Sequence, residues 1–114
     1  MDAIGKGDSI RLENDPALQE TIRRIVDVAH PEKIILFGSA ARGELKPDSD
    51  LDMLVVKSGV HRRHLAQAIY RNLIGVGRAV DVVVVTPEDI ERYGNCPALV
   101  IESALREGRV VYAA

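Results

Sequence analysis

Apolar positions along the chain follow two rhythms. From Asp15 onward, Leu18, Ile22, Ile25, Val26 and Ala29 recur at helical spacing, which predicts one helix with a single apolar stripe. Asp15-Pro16 supplies its start, a capping carboxylate followed by proline at the first helical position. Pro31 stops it, because the residue before a proline avoids helical geometry. His30, at that end, suits a favourable charge near a helix C-terminus. Ile34-Ile35-Leu36-Phe37 then breaks the rhythm with a continuous apolar run, the pattern of a strand buried on both faces. Asp50 to Val56 and Ala79 to Val85 read as two further strands. Between them, Val60 to Ile74 is helical, with Leu65, Ala68, Ile69 and Leu73 on one side. Thr86-Pro87-Glu88-Asp89 opens another helix with a hydroxyl cap, a proline and first-turn acids, and Gly94-Asn95 ends it. Pro97 to Glu107 predicts a last helix closed by Gly108, and Arg109 to Tyr112 a short final strand.

This alternation predicts a small sheet of three to four strands covered by helices, in the α/β or α+β range. The connection from Val56 to Ala79 is long enough for a parallel crossover. The connection between the first two strands allows either direction. Residues 1–14, with Gly5, Gly7, Asp8 and Asn14, read as a flexible N-terminal arm, and 15–114 as one domain. Gly5-Lys6-Gly7 lacks the spacing of a phosphate-binding P-loop.

Composition removes several classes of function. At 114 residues, with 46% hydrophobic and 28% charged positions, the chain can bury a core without disulfides. Only 4% of residues are aromatic, so that core falls to Val, Ile, Leu and Ala. A net charge of −2 argues against a nucleic-acid partner, which needs a clustered cationic surface. Cys96 is the single cysteine and supports neither an intrachain disulfide nor, by itself, a cysteine metal site. No apolar run reaches the roughly 18 to 20 residues of a membrane span, and no signal-peptide pattern opens the chain. The expectation is a cytoplasmic protein without a membrane partner.

The chemistry concentrates in the stretch from Gly38 to Asp52, which joins the first two strands. Asp50 and Asp52 are two apart on an expected strand, so their side chains share a face. Asp81 interrupts the apolar run of the next strand, where an unpaired charge is costly. If those strands are neighbours, three carboxylates converge, and three such anions need a cation. Oxygen-only ligands suit Mg²⁺, which takes one or two carboxylates together with substrate phosphates. Arg78 is an alternative partner for Asp81. At the other end, Gly38 lets the backbone turn sharply and a ligand approach closely. Ser39 begins a short helix, ended by Gly43, whose N–H groups suit a phosphate. Arg42 lies on the same side and could add positive charge. An ordinary strand-to-helix turn with a serine cap also fits Gly38-Ser39. Elsewhere, His61 and His64 are three apart near a helix start and lack a nearby carboxylate, a weak metal signal that a solvated helix start explains better.

Taken together, Leu36-Phe37-Gly38-Ser39-Ala40-Ala41-Arg42-Gly43 followed by Ser49-Asp50-Leu51-Asp52-Met53-Leu54-Val55 resembles the GS-x10-DxD signature of the polymerase-beta-like nucleotidyltransferases. Ten residues separate Ser39 from Asp50, as that signature requires. Asp81 resembles the family's third, separate carboxylate. The chain is similar to the minimal, MNT-type members, and the segment from Ser103 to Tyr112 also looks typical of them.

The resemblance implies the polymerase-beta-like fold and Mg²⁺-dependent transfer of AMP from ATP, with pyrophosphate released. It implies nucleotide binding by Gly38, Ser39 and Arg42, and catalytic metal binding, most simply of two Mg²⁺ ions, by Asp50, Asp52 and Asp81. It further implies a partner, because minimal members commonly act as antitoxins to a helical HEPN-type toxin. Of the apolar residues beside the carboxylates (Leu54, Val56, Val83 and Val85), part can be covered by the chain's own helices, and whatever remains open suits a protein surface, a partner's or that of another copy. Neutralisation by occlusion without catalysis, and transfer to a small-molecule acceptor, are the alternatives.

Overall fold

The computed structural model describes residues 15–44, 49–96 and 99–114. The expected arm at 1–14, residues 46–48 of the Lys46-Pro47-Asp48-Ser49 segment, whose composition predicts a turn, and the expected helix start at Pro97 lie outside them. The first helix, α1 (Pro16–Ala29), starts where the sequence predicts. Asp15 caps it, its carboxylate accepting the Leu18 N–H at 3.0 Å. His30 closes it in left-handed geometry with φ 45°. Lys57 Nζ donates to the His30 carbonyl at 2.9 Å, which places a cation at this helix end.

Strands β1 (Lys33–Phe37), β2 (Leu51–Val56), β3 (Val80–Val85) and β4 (Arg109–Ala113) form one sheet in the order β3-β2-β1-β4. β1 runs antiparallel to both β2 and β4, which resolves the direction that the sequence left open. β2 and β3 are parallel, joined through α2 (Arg62–Asn72) as the crossover length predicts. α3 (Pro87–Tyr93) carries a full capping box: Thr86 Oγ1 accepts the Asp89 N–H, and the Asp89 carboxylate accepts the Thr86 N–H. α4 (Val100–Glu107) follows.

Side chains alternate across the sheet and build two cores. On one face, Ile34, Leu36, Leu51, Met53, Val55, Val82 and Val84 pack with Leu18, Ile25 and Ala29 of α1 and with Ile69 and Leu73 near α2. On the other, Ile35, Phe37, Leu54, Val56 and Val85 pack with Ile101 and Ala104 of α4. β1 is therefore buried on both sides, as its continuous apolar run predicts.

The second core shows how much of the apolar face beside the carboxylates the chain covers itself: Leu54, Val56 and Val85 are buried in one cluster with Ile101 and Ala104 of α4, and Ile90 of α3 packs against it, leaving Leu54 and Val85 at 0% and 3% exposed. Gly108 makes this seating close. A Cβ there would meet the Ala104 carbonyl, Ile35 and the Leu36 carbonyl. The large exposed apolar side chains instead include Tyr93, Leu99, Val100 and Leu105, on and around α3 and α4.

Candidate active site

Every position of β2 is buried except Asp52, which is half-buried. The register explains why. Asp52 stands opposite Phe37, the last residue of β1, and opposite Asp81 on the parallel neighbour β3. Residues paired across a sheet share a face, so Asp52 and Asp81 lie side by side, on strands about 4.8 Å apart. They occupy the uncovered end of the face that α4 closes further along. Asp50 precedes β2 and is exposed.

The Asp52 carboxyl is pushed above the usual carboxylate range. Burial is the main cause, the neighbouring Asp81 charge comes second and the Asp50 charge third. One strand pair thus concentrates like charge around a partly desolvated carboxylate. Among the described residues no group of three or more His, Cys, Asp or Glu side chains is placed to hold a metal ion, so the expected three-carboxylate convergence is represented here by the Asp52–Asp81 pair, with Asp50 nearby. A paired carboxylate site open on one side is nonetheless the chemistry that suits Mg²⁺, whose remaining ligands are waters and substrate phosphates.

Gly38 leaves β1 with φ +74°, a backbone that favours glycine. A Cβ at Gly38 would collide with the Asp52 carboxylate. The phosphate-binding candidate and the metal-binding candidate are therefore in contact, which linear spacing alone could not establish. Beyond half-buried Ser39, a single helical turn at Ala40–Glu44 is seated by Ala40 and Ala41, 1% and 3% exposed, and breaks at Gly43 with φ 86°. Small apolar residues on the inner side let this turn lie close against the sheet, with its N-terminal end beside Asp52.

Two residues outside the linear motif hold that turn. Arg109 Nε donates to the Ala41 carbonyl at 2.9 Å, supplying positive charge and a donor where a short helix leaves its carbonyls unsatisfied. Arg42 is half-exposed, with its guanidinium 3.5 Å from the Glu107 carboxylate. Such an exposed pair contributes at most about 1 kcal/mol, little enough for an incoming phosphate to displace it. Nothing in the local pattern marks Arg109, since its contact spans 68 residues.

Arg78, named above as an alternative partner for Asp81, engages Asp15, Nη1 to Oδ2 at 2.9 Å, and its Nε donates to the Ser49 carbonyl at 2.9 Å. His61 and His64 stack at 4.0 Å at the start of α2, with His61 Nδ1 accepting the His64 N–H, and both are exposed. That is the solvated helix start expected of them.

The model of the nucleotidyltransferase domain family matches residues 18–111, spanning the turn from Gly38 to Gly43, Asp50, Asp52, Asp81 and Arg109. The chain belongs to this family. An inferred protein adenylyltransferase of Methanocaldococcus jannaschii is 33% identical over 81 residues, covering 71% of this chain and 78% of its own. A solved structure described as an inferred minimal nucleotidyltransferase is 28% identical, with a TM-score of 0.56 over 88% of this chain and 95% of its own. A toxin–antitoxin structure with AMP-PNP shares the fold at 20% identity, with a TM-score of 0.53 over 84% of this chain and 73% of that one. The four-stranded mixed sheet with its helices is thus the polymerase-beta-like fold, and the chain is a nucleotidyltransferase. Among the described residues no helix is long and apolar enough to cross a membrane.

Proposed function

We propose that residues 15–114 form a catalytic unit that transfers AMP from ATP to a hydroxyl of a partner protein. The observation that carries this reading is the contact between Gly38 and Asp52 beside the Asp52–Asp81 pair. It brings a phosphate cradle and a carboxylate pair into one place. In this reading Gly38, Ser39 and the N–H groups that follow hold the β- and γ-phosphates, with Arg42 adding charge. Asp50, Asp52 and Asp81 hold Mg²⁺, most simply as two ions. Bound by these carboxylates, the metal would supply positive charge that offsets the charge of the phosphates. The acceptor oxygen bonds to the α-phosphorus, the bond to the bridging oxygen breaks, and pyrophosphate leaves. In the same reading Asp81, on the edge strand β3, would help remove the hydroxyl proton.

A protein acceptor is supported by the relative inferred to be a protein adenylyltransferase and by the fold shared with a toxin–antitoxin structure. We therefore assign the partner role to a helical HEPN-type toxin, with this chain as its antitoxin in the cytoplasm. The test is to mix the chain with such a partner, ATP and Mg²⁺ and record intact masses. The expected result is an adenylyl increment on the partner. Tight binding and full neutralisation without that increment would replace catalysis with occlusion.

A further inference from the structure

The most deeply buried charges described lie outside the site. Arg78 and Asp15 have side chains 6% and 2% exposed, and the pair joins residues 63 apart in sequence. Burying two charges costs several kcal/mol in desolvation, and an apolar pair of similar volume often serves stability equally well. The contacts of this pair are more specific than stability requires. Arg78 Nη1 reaches both Asp15 oxygens, at 2.9 and 3.2 Å, while Nε donates to the Ser49 carbonyl at 2.9 Å. The Asp15 carboxylate is itself fixed by the Leu18 N–H at the start of α1.

Ser49 immediately precedes Asp50, and Arg78 lies three residues before Asp81. On the far side of Asp50, the Leu51 N–H donates to the Ala79 carbonyl at 2.9 Å. The backbone of Asp50 is thus tied on both sides to the segment that leads into β3. One guanidinium, anchored on α1, sets the starts of the two carboxylate-bearing strands relative to each other. We propose that the buried Arg78–Asp15 pair is a positioning device for the carboxylate cluster, acting through the Ser49 carbonyl to aim Asp50 at the site that Asp52 and Asp81 form. This rests on the nucleotide-and-metal reading given above.

The planar fork is what allows both contacts. A lysine offers a compact point charge that stays beside Asp15 but cannot also supply the Nε donor to Ser49. Arg78→Lys therefore separates positioning from ion pairing. The measurements are calorimetric titration with Mn²⁺ and a non-hydrolysable ATP analogue, thermal unfolding, and amide exchange at Leu51 and Val55. The expected result for Arg78→Lys is an affinity about tenfold or more weaker, as for other supporting residues around metal sites. Leu51 should exchange faster while Val55 and the melting temperature stay near wild type. Unchanged affinity would overturn the proposal, and so would a loss that tracks a general fall in protection and melting temperature. If the wild type itself takes up no Mn²⁺ with the analogue, the nucleotide reading fails. Leu51 exchange in Arg78→Lys then decides the positioning role by itself, faster exchange supporting it and wild-type exchange overturning it.

Discussion

Asp52→Asn should reduce transfer by at least about a hundred- to a thousandfold, the scale on which losing one preorganised electrostatic group slows such reactions. The protein should nevertheless be as stable as the wild type or more so in metal-free buffer. Both expectations come from the same geometry. Asp52 is half-buried beside Asp81, and its carboxyl is raised above its ordinary range by burial first and by the neighbouring charges second. A group whose folded pKa lies above its unfolded value binds protons more readily in the native state. Its contribution to stability is therefore complete below the unfolded pKa and is lost as pH rises through the folded one. Above that window the ionised carboxylate opposes folding. Asparagine removes that opposition, so the variant should lose this part of the acid-range pH dependence of the melting temperature. Paired rate and melting measurements across pH check both halves. A variant that unfolds outright would show that Asp52 is a structural rather than a functional carboxylate.

The second large effect is expected at Gly38. Gly38→Ala places a side chain at φ +74°, a strain of about 1 to 3 kcal/mol, and drives its Cβ into the Asp52 carboxylate. Strain of that size lowers the melting temperature of a domain this small by several degrees, at about 4–8 °C per kcal/mol. Displacement of Asp52 should also weaken ATP-analogue binding by an order of magnitude or more. Gly43→Ala is the matched control. It sits at φ +86° with nothing within 4 Å of the added methyl, so it carries the strain without the collision. The two variants should melt at similarly lowered temperatures, yet only Gly38→Ala should lose binding. Equal loss in both would mean that backbone strain alone, and not contact with Asp52, governs the turn.

Much of this molecule could be read from its sequence because the informative signals are local. Asp15-Pro16 and Thr86-Pro87 mark helix starts through groups within one turn, and both caps form. The uninterrupted run Ile34 to Phe37 predicts burial on both faces, and the two cores meet there. What could not be read depends on long-range register. That Asp52 faces Asp81 follows from which residues pair between β2 and β3, and no spacing along the chain encodes it. The true partner of Arg78 is Asp15, a residue the sequence presents only as a helix cap. How much of the face of Leu54, Val56 and Val85 the chain's own helices cover was equally open, because an apolar strand face looks the same whether the chain or a partner buries it.

The central claim is that Gly38, Ser39, Asp52 and Asp81 build one nucleotide-and-metal site. Its most direct test is a crystal structure with Mn²⁺ and a non-hydrolysable ATP analogue, read by the anomalous signal of manganese. The account predicts manganese between the Asp52 and Asp81 carboxylates, with the terminal phosphates against the Gly38-Ser39 turn. Manganese bound elsewhere, or phosphates seated away from that turn, would contradict it.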